Sequence, residues 1–350
     1  MMVAIWFGVV AFMLSTYVVL DGRNFGVGIA LWLVARERHE RRQVIAAIGP
    51  LWLWHEVWLV GTGGVLFVAF PRLLGSAFAG YYLAMFLILW SAILRGIAIE
   101  VGGHIDDKLW QSFWDAVLFV SSALLAVLFG AALGNVIRGV PLHEDGAFHM
   151  PFFTNFRTQG NVGLLDWYTI SVAAFAVLAL TAHGLTYLTS KTEGPVHDRA
   201  ARLARRLWLA AVPGFLLLSV LTWCVRPELY HGLMTHPLAW LGALACAAST
   251  VALGHGLYKG KEQAAFVGST FLLQSVIATG AAALYPVMLF STLDPAHRLN
   301  APDVAASQHG LVVASLWWPI AAALAFAYFF NILRYYRGRV SVARDTQGLY

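Results

Sequence analysis

The sequence predicts an all-α polytopic membrane protein of about nine transmembrane helices. Three observations carry this: composition, the length of the apolar runs, and the alternation of basic residues between successive loops. Of the 350 residues, 59% are hydrophobic and 12% charged, where soluble domains carry roughly 25% charged residues. So apolar a chain would expose large patches to water, and lipid is the solvent that fits it. The 14 Trp residues are in keeping with rings that anchor helices at the two interfaces. The net charge of +5 does not point to nucleic acid, because the basic residues sit in short loops between apolar runs. Cys224 and Cys246 lack metal-ligand spacing and read as small packing residues.

A span needs roughly 20 mainly apolar residues to cross a core about 30 Å thick. The segments that qualify begin near Val3, Val44, Gly80, Phe113, Asp166, Leu207, Pro237, Gln263 and Leu311. The opening stretch lacks a basic leader and a small-residue cleavage site, so it reads as the first helix rather than a removable signal. Gly61 to Gly64, Pro213 and Pro286 fall inside these spans, tolerable where neighbouring helices satisfy the backbone. The longest loop, 138–163, is rich in Gly, Pro and aromatics and reads as packed; loop 289–307 is second. Spans one to four and five to eight divide as 1–138 and 164–288, with a ninth helix at 308–333, but no sequence repeat marks the halves.

Orientation follows from Lys and Arg. One set of alternate loops holds Arg36, Arg38, Arg41 and Arg42, Lys108, Lys191 with the Arg199–Arg206 group, Lys259 and Lys261, and Arg334 to Arg344. The opposite set holds only Arg72, Arg138, Arg157, Arg226 and Arg298. The positive-inside bias then places the C-terminus in the cytoplasm and the N-terminus outside, as an odd number of spans requires.

Ionisable groups inside a span cost roughly 2.5–3.5 kcal/mol each on insertion scales, so each needs a partner or a purpose. Asp21 and Arg23 lie in DGRNFGVGIAL and read either as a mutually neutralising pair or as a site a ligand can approach. His55 and Glu56 fit a proton relay, a quinone headgroup site, or a hydrogen-bond acceptor for a neighbouring Trp. Arg95 and Glu100 are five residues apart and do not share a helical face. Arg95 therefore looks to another span, where Asp21 and Glu56 are the obvious carboxylates. Asp115 is a further intramembrane acid. His183 and His255 lie at matched depth on spans five and seven, the minimum for a bis-histidine haem site, although lone histidines in bundles are more often hydrogen-bonded core residues.

With these residues in view, the chain resembles subunit II of cytochrome bd-type quinol oxidases. VLDGRNFGVG is similar to that family's DGFDxGxG signature, and IGPLWLWHEVWLVGTGG to its GPxWDxNEVWL segment and Gly-rich helix. GNVIRGVPL, HGLTYLTSKTEG around His183, and the closing WWPIAAALAFAYFFNILRYYRG match in order, so the resemblance covers nearly the whole chain. It implies two four-helix bundles plus one peripheral helix in a bacterial cytoplasmic membrane. It also implies a heterodimer with a subunit I that carries the b and d haems and oxidises quinol, this chain binding no haem itself. Lipid, in some members a structural quinone, and a small single-helix subunit complete the expected partners. The complex would reduce oxygen to water, with this subunit supporting haem insertion and proton access.

Two departures matter. Asn24 stands where the signature has its second acid, and Leu53 and His55 replace the acid and Asn of the second motif. Neither Asn24 nor Leu53 titrates, so a proton route along Asp21, His55, Glu56, Arg95 and Asp115 would have to be relocated, with Glu56 the candidate one helical turn from Leu53. The rival readings are a secondary transporter using Asp21, Glu56 and Arg95, and a scaffold subunit without a proton role. The only hint of the discontinuous helix a transporter uses is Gly61 to Gly64.

Overall fold

A computed structural model describes residues 1–340; Arg344, counted above among the basic residues, lies outside the described residues. The described residues form thirteen α-helices: α1 (Met2–Val34), α2 (Arg38–Ile48), α3 (Trp52–Ala69), α4 (Pro71–Gly80), α5 (Tyr82–Val101), α6 (Lys108–Arg138), α7 (Trp167–Lys191), α8 (Pro195–Val225), α9 (Pro227–Thr235), α10 (Pro237–Lys259), α11 (Glu262–Leu284), α12 (Ala301–Val304) and α13 (Gln308–Tyr335). A two-stranded antiparallel hairpin, β1 (Val287–Leu289) with β2 (Leu299–Asn300), follows α11. Among the described residues, eight helices are long and apolar enough to cross a membrane. The count is nine when α2 and α3, bent by 41° at their junction, form one span.

The second span is a broken helix where the apolar run implied a continuous one. The helix from Arg38 ends at Ile48, and a turn through Gly49, Pro50 and Leu51 precedes Trp52. Pro50 offers no amide and its ring clashes with the preceding turn, so the chain breaks there rather than continuing from Val44. Gly61 to Gly64, the hint of a discontinuous helix, does not interrupt α3, which runs through it. Pro286 lies beyond α11, outside any span, whereas Pro213 is inside α8.

Helix α1 is the axis of the molecule. Its 33 residues extend about 50 Å, and it packs on α3, α6, α7 and α11, which come from both halves of the chain. The glycines of DGRNFGVG make this possible. A Cβ on Gly26 would lie 1.9 Å from the Leu180 carbonyl oxygen, one on Gly28 would lie 2.2 Å from the Ser122 hydroxyl, and one on Gly184 would lie 2.5 Å from the Arg23 carbonyl oxygen. The backbones of α1 and α7 are therefore in direct contact, as small residues allow between membrane helices. Gly26→Ala is expected to separate the two helices and lower the apparent melting temperature of the detergent-purified protein by several degrees. Gly63→Ala, whose Cβ meets nothing within 4 Å, serves as the control; equal melting of the two variants would refute the close-contact account.

Charged groups tie the helix ends on the basic side. Arg41 reaches Asp115 at 2.7 Å, Arg38 and Arg42 converge on Asp106, and Arg199 forks onto Glu40. Burial alone would push the Glu40 carboxyl up. The Arg199 guanidinium and the backbone amides of Arg36 and Glu37 outweigh it and hold the group at about 2. Val340 is pinned to Lys191 and Gln43.

The opposite side is capped by the two long loops, which pack together. Val140 donates to Phe290, Thr292 to Val140 and Gly160 to Thr292, over a cluster that includes Leu142, Phe148, Met150 and Leu289. Beneath it Arg138, fully buried, pairs with Asp166, the N-cap of α7, whose carboxylate accepts from the amides of Tyr168 and Thr169.

Candidate functional site

Within the apolar interior, α1, α3 and α5 bring together five of the ionisable groups noted in the sequence. Arg95 of α5 is the hub. Its guanidinium donates to the Asp21 carboxylate at 2.7 Å and to the Glu56 carboxylate. Asp21, Arg95 and His55 are wholly buried; the Glu56 side chain keeps 18% exposure, the only one of the five open to the surroundings. Leu53, Val57 and Val60, exposed on α3, surround this opening.

Arg23 does not pair with Asp21. Two residues apart on one helix, their side chains point to different faces. Arg23 instead approaches Nε2 of His55 at 2.8 Å and lies 4.4 Å over the Tyr187 ring, while Arg95 lies 4.9 Å over Phe25. Two carboxylates and two guanidiniums sum to zero charge when the imidazole is neutral, which is how a polar centre survives in hydrocarbon.

Asn24 closes the network. Its amide nitrogen lies 3.0 Å from Asp21 and 2.8 Å from Nδ1 of His55. The two positions that depart from the family signature, Asn24 and His55, therefore touch. Leu53, the third departure, is 55% exposed and takes no part.

Hydrogen-bond accounting around the ring leaves a mismatch. Arg23 is a permanent donor, so Nε2 of His55 must accept and the ring proton sits on Nδ1, facing another donor, the Asn24 amide nitrogen. Turning the amide over satisfies His55 but sets an oxygen against the Asp21 carboxylate. The first sets two donors against each other and the second two acceptors, so the second alone has room for a further proton. Asp21 Oδ2, Asn24 Oδ1, Arg23 Nε, Arg95 Nε and the Tyr17 hydroxyl are also buried without a protein partner among the described residues. Buried polar atoms of this kind are ordinarily matched by internal water.

The remaining candidates lie apart. Asp115 bonds to Arg41 of α2 and to none of the cluster. His183 is buried, with Nδ1 at 2.8 Å from the Ser269 hydroxyl and Nε2 at 3.1 Å from the Val19 carbonyl, so a haem iron would have to displace one of these partners. His255 is exposed on α10; the matched depth of the two histidines does not make a facing pair. Glu100 accepts from the Trp52 indole at 2.8 Å, a tie to a neighbouring span rather than to headgroups. The Arg138–Asp166 pair and the Tyr17 hydroxyl escaped sequence reasoning. The first carried a signal, since Arg138 ends an apolar run and Asp166 opens one. For Tyr17 there was none.

Fold and site together define a multi-span helical membrane protein with an ion-paired polar centre enclosed by its first three spans. The chain matches the family model for cytochrome bd terminal oxidase subunit II over residues 2–336, and it belongs to that family. It is thus a subunit of a respiratory oxidoreductase complex. It is 27% identical to cytochrome bd-I ubiquinol oxidase subunit 2 of Escherichia coli (strain K12), over 99% of this chain and 98% of that one. It is 28% identical to cytochrome bd ubiquinol oxidase subunit 2 of Bacillus subtilis (strain 168), over 96% of each. The bd oxidase structure from Geobacillus thermodenitrificans superposes with a TM-score of 0.74 at 15% identity, covering 96% of this chain and 98% of that chain, a likeness of fold.

Proposed function

We propose that this chain is the haem-free subunit of a quinol:oxygen oxidoreductase of the bacterial cytoplasmic membrane. It packs against a haem-bearing subunit I and passes protons toward the oxygen-reduction site through Glu56, Asp21 and His55, which Arg95 and Asn24 hold in place. The observation that carries the proton role is the mismatch around His55. A network with two donors face to face in one amide orientation and two acceptors in the other, with unpartnered buried oxygens beside it and one carboxylate opening outward, can take up a proton in the second orientation and release it in the first. The basic side is the cytoplasmic side, so the N-terminus is outside and the C-terminus inside. The spans group as two four-helix bundles, 1–138 and 164–288, with the ninth helix peripheral, α1 joining the two.

A second reading, a scaffold without a proton role, is favoured by Asn24 and by the outward-facing Leu53, neither of which titrates. For the transporter reading, α3 is continuous through Gly61 to Gly64, and the break in the second span falls at Gly49 to Leu51 instead. Purification of the tagged chain from its native membrane in mild detergent tests the partner. A stoichiometric second subunit with b- and d-type bands in the reduced-minus-oxidised spectrum is expected. A chain that comes out alone and colourless from cells expressing it well would refute the assignment.

A further inference from the structure

A cavity of about 590 Å³ lies between α7, α8, α10 and α11, and no residue of the polar cluster lines it. Its walls are apolar throughout their depth, formed by residues such as Phe175, Phe215, Leu253 and Leu272. The polar groups that touch it are spoken for: the Trp208 indole donates to Thr186 at 2.9 Å, and the Thr250 hydroxyl to the Cys246 carbonyl at 2.8 Å. Arg205 alone brings a full charge to the lining, and it stands with Tyr258 at the end nearest the basic side. From Arg205 to Leu216 along α8 the cavity runs about 17 Å, close to the depth of one leaflet of a core about 30 Å thick.

The arginines on the basic side divide into those paired with carboxylates and those, Arg36, Arg334 and Arg337 as well as three on α8, with no such partner among the described residues. Arg38, Arg41, Arg42, Arg199 and Arg339 all have carboxylate partners. Arg202, Arg205 and Arg206 are exposed and have none among the described residues. An apolar slot of leaflet depth with unneutralised cations at its mouth fits an amphiphile carrying one acyl tail inward and a negative headgroup outward.

We propose that this cavity is a binding site for an anionic glycerophospholipid of the basic-side leaflet, its phosphate on Arg205 and one acyl chain between α8 and α10. A quinone headgroup could accept a hydrogen bond from Arg205 but carries no charge to match the unneutralised guanidinium. The site is independent of the proton network and of the identity of the partner subunit.

The test uses the intact complex, delipidated in detergent and titrated with phosphatidylglycerol or phosphatidylcholine, with occupancy read by native mass spectrometry. The wild type is expected to hold one phosphatidylglycerol per chain in preference to phosphatidylcholine. Arg205→Gln should weaken phosphatidylglycerol binding about fivefold, the worth of one basic residue at an anionic surface, and leave phosphatidylcholine unchanged. Gly254 lines the cavity and a Cβ there meets nothing within 4 Å, so Gly254→Phe fills the slot without disturbing the helices. It should exclude both lipids while the subunits stay associated. Equal binding of the two lipids by the wild type, retention unchanged in Gly254→Phe, or quinone recovered in place of phospholipid would each overturn the proposal.

Discussion

Arg95→Leu is expected to remove most of the folded protein from the membrane. Arg95 is fully buried and, among the described residues, is the only group that bonds both Asp21 and Glu56. Without it two carboxylates face each other in hydrocarbon with Arg23 turned away toward His55 and Tyr187. Breaking one buried ion pair costs about 3–5 kcal/mol, and a whole domain is stable by only about 5–15 kcal/mol. The measurement is the amount of tagged chain in washed membranes and its thermal unfolding in detergent. Arg95→Lys keeps the charge but lacks the planar fork, so it should recover only part of the loss. The triple variant Arg95→Leu, Asp21→Asn, Glu56→Gln should recover more, because no carboxylate is then left uncompensated. Wild-type accumulation of Arg95→Leu would show that the cluster is held by something other than this cation.

Glu56→Gln separates the relay from the scaffold. The amide keeps the shape and a hydrogen-bond acceptor for Arg95 but carries no exchangeable acid. Quinol-dependent oxygen consumption should fall about 10²-fold, the lower range for loss of a positioned proton-transfer group, while the haem spectrum and subunit ratio stay as in the wild type. Glu56→Asp should recover part of the rate. Unchanged turnover in Glu56→Gln would end the proton role and leave the scaffold reading in possession.

Much of the architecture was legible because membrane spans are written in composition: the apolar runs and the sidedness of Lys and Arg need no tertiary information. Arg95 was likewise readable, since a lone cation in a span must find an acid and few were on offer. What escaped depended on distances between helices. Asp21 and Arg23 look like a pair in a string of letters, and only helical geometry turns them apart. Asn24 and His55, read singly, are losses from the family signature. Placed 2.8 Å from each other, they are one altered contact. Leu53 looks like a gap in a proton route until its side chain is seen to face outward, away from the network altogether. Pro50 was visible from the start. Its effect on the second span was masked by the apolar residues on either side of it.

The contact between Asp21 and Arg95 spans 74 positions of sequence. At roughly 5–20 residues per second, Arg95 is synthesised about 4–15 s after Asp21. For that interval the first helix holds an acid and a base that do not face each other, each costing roughly 2.5–3.5 kcal/mol in lipid. The first helix carries that cost until the third span arrives, and the order of translation makes α5 the piece that completes the pairing begun on α1.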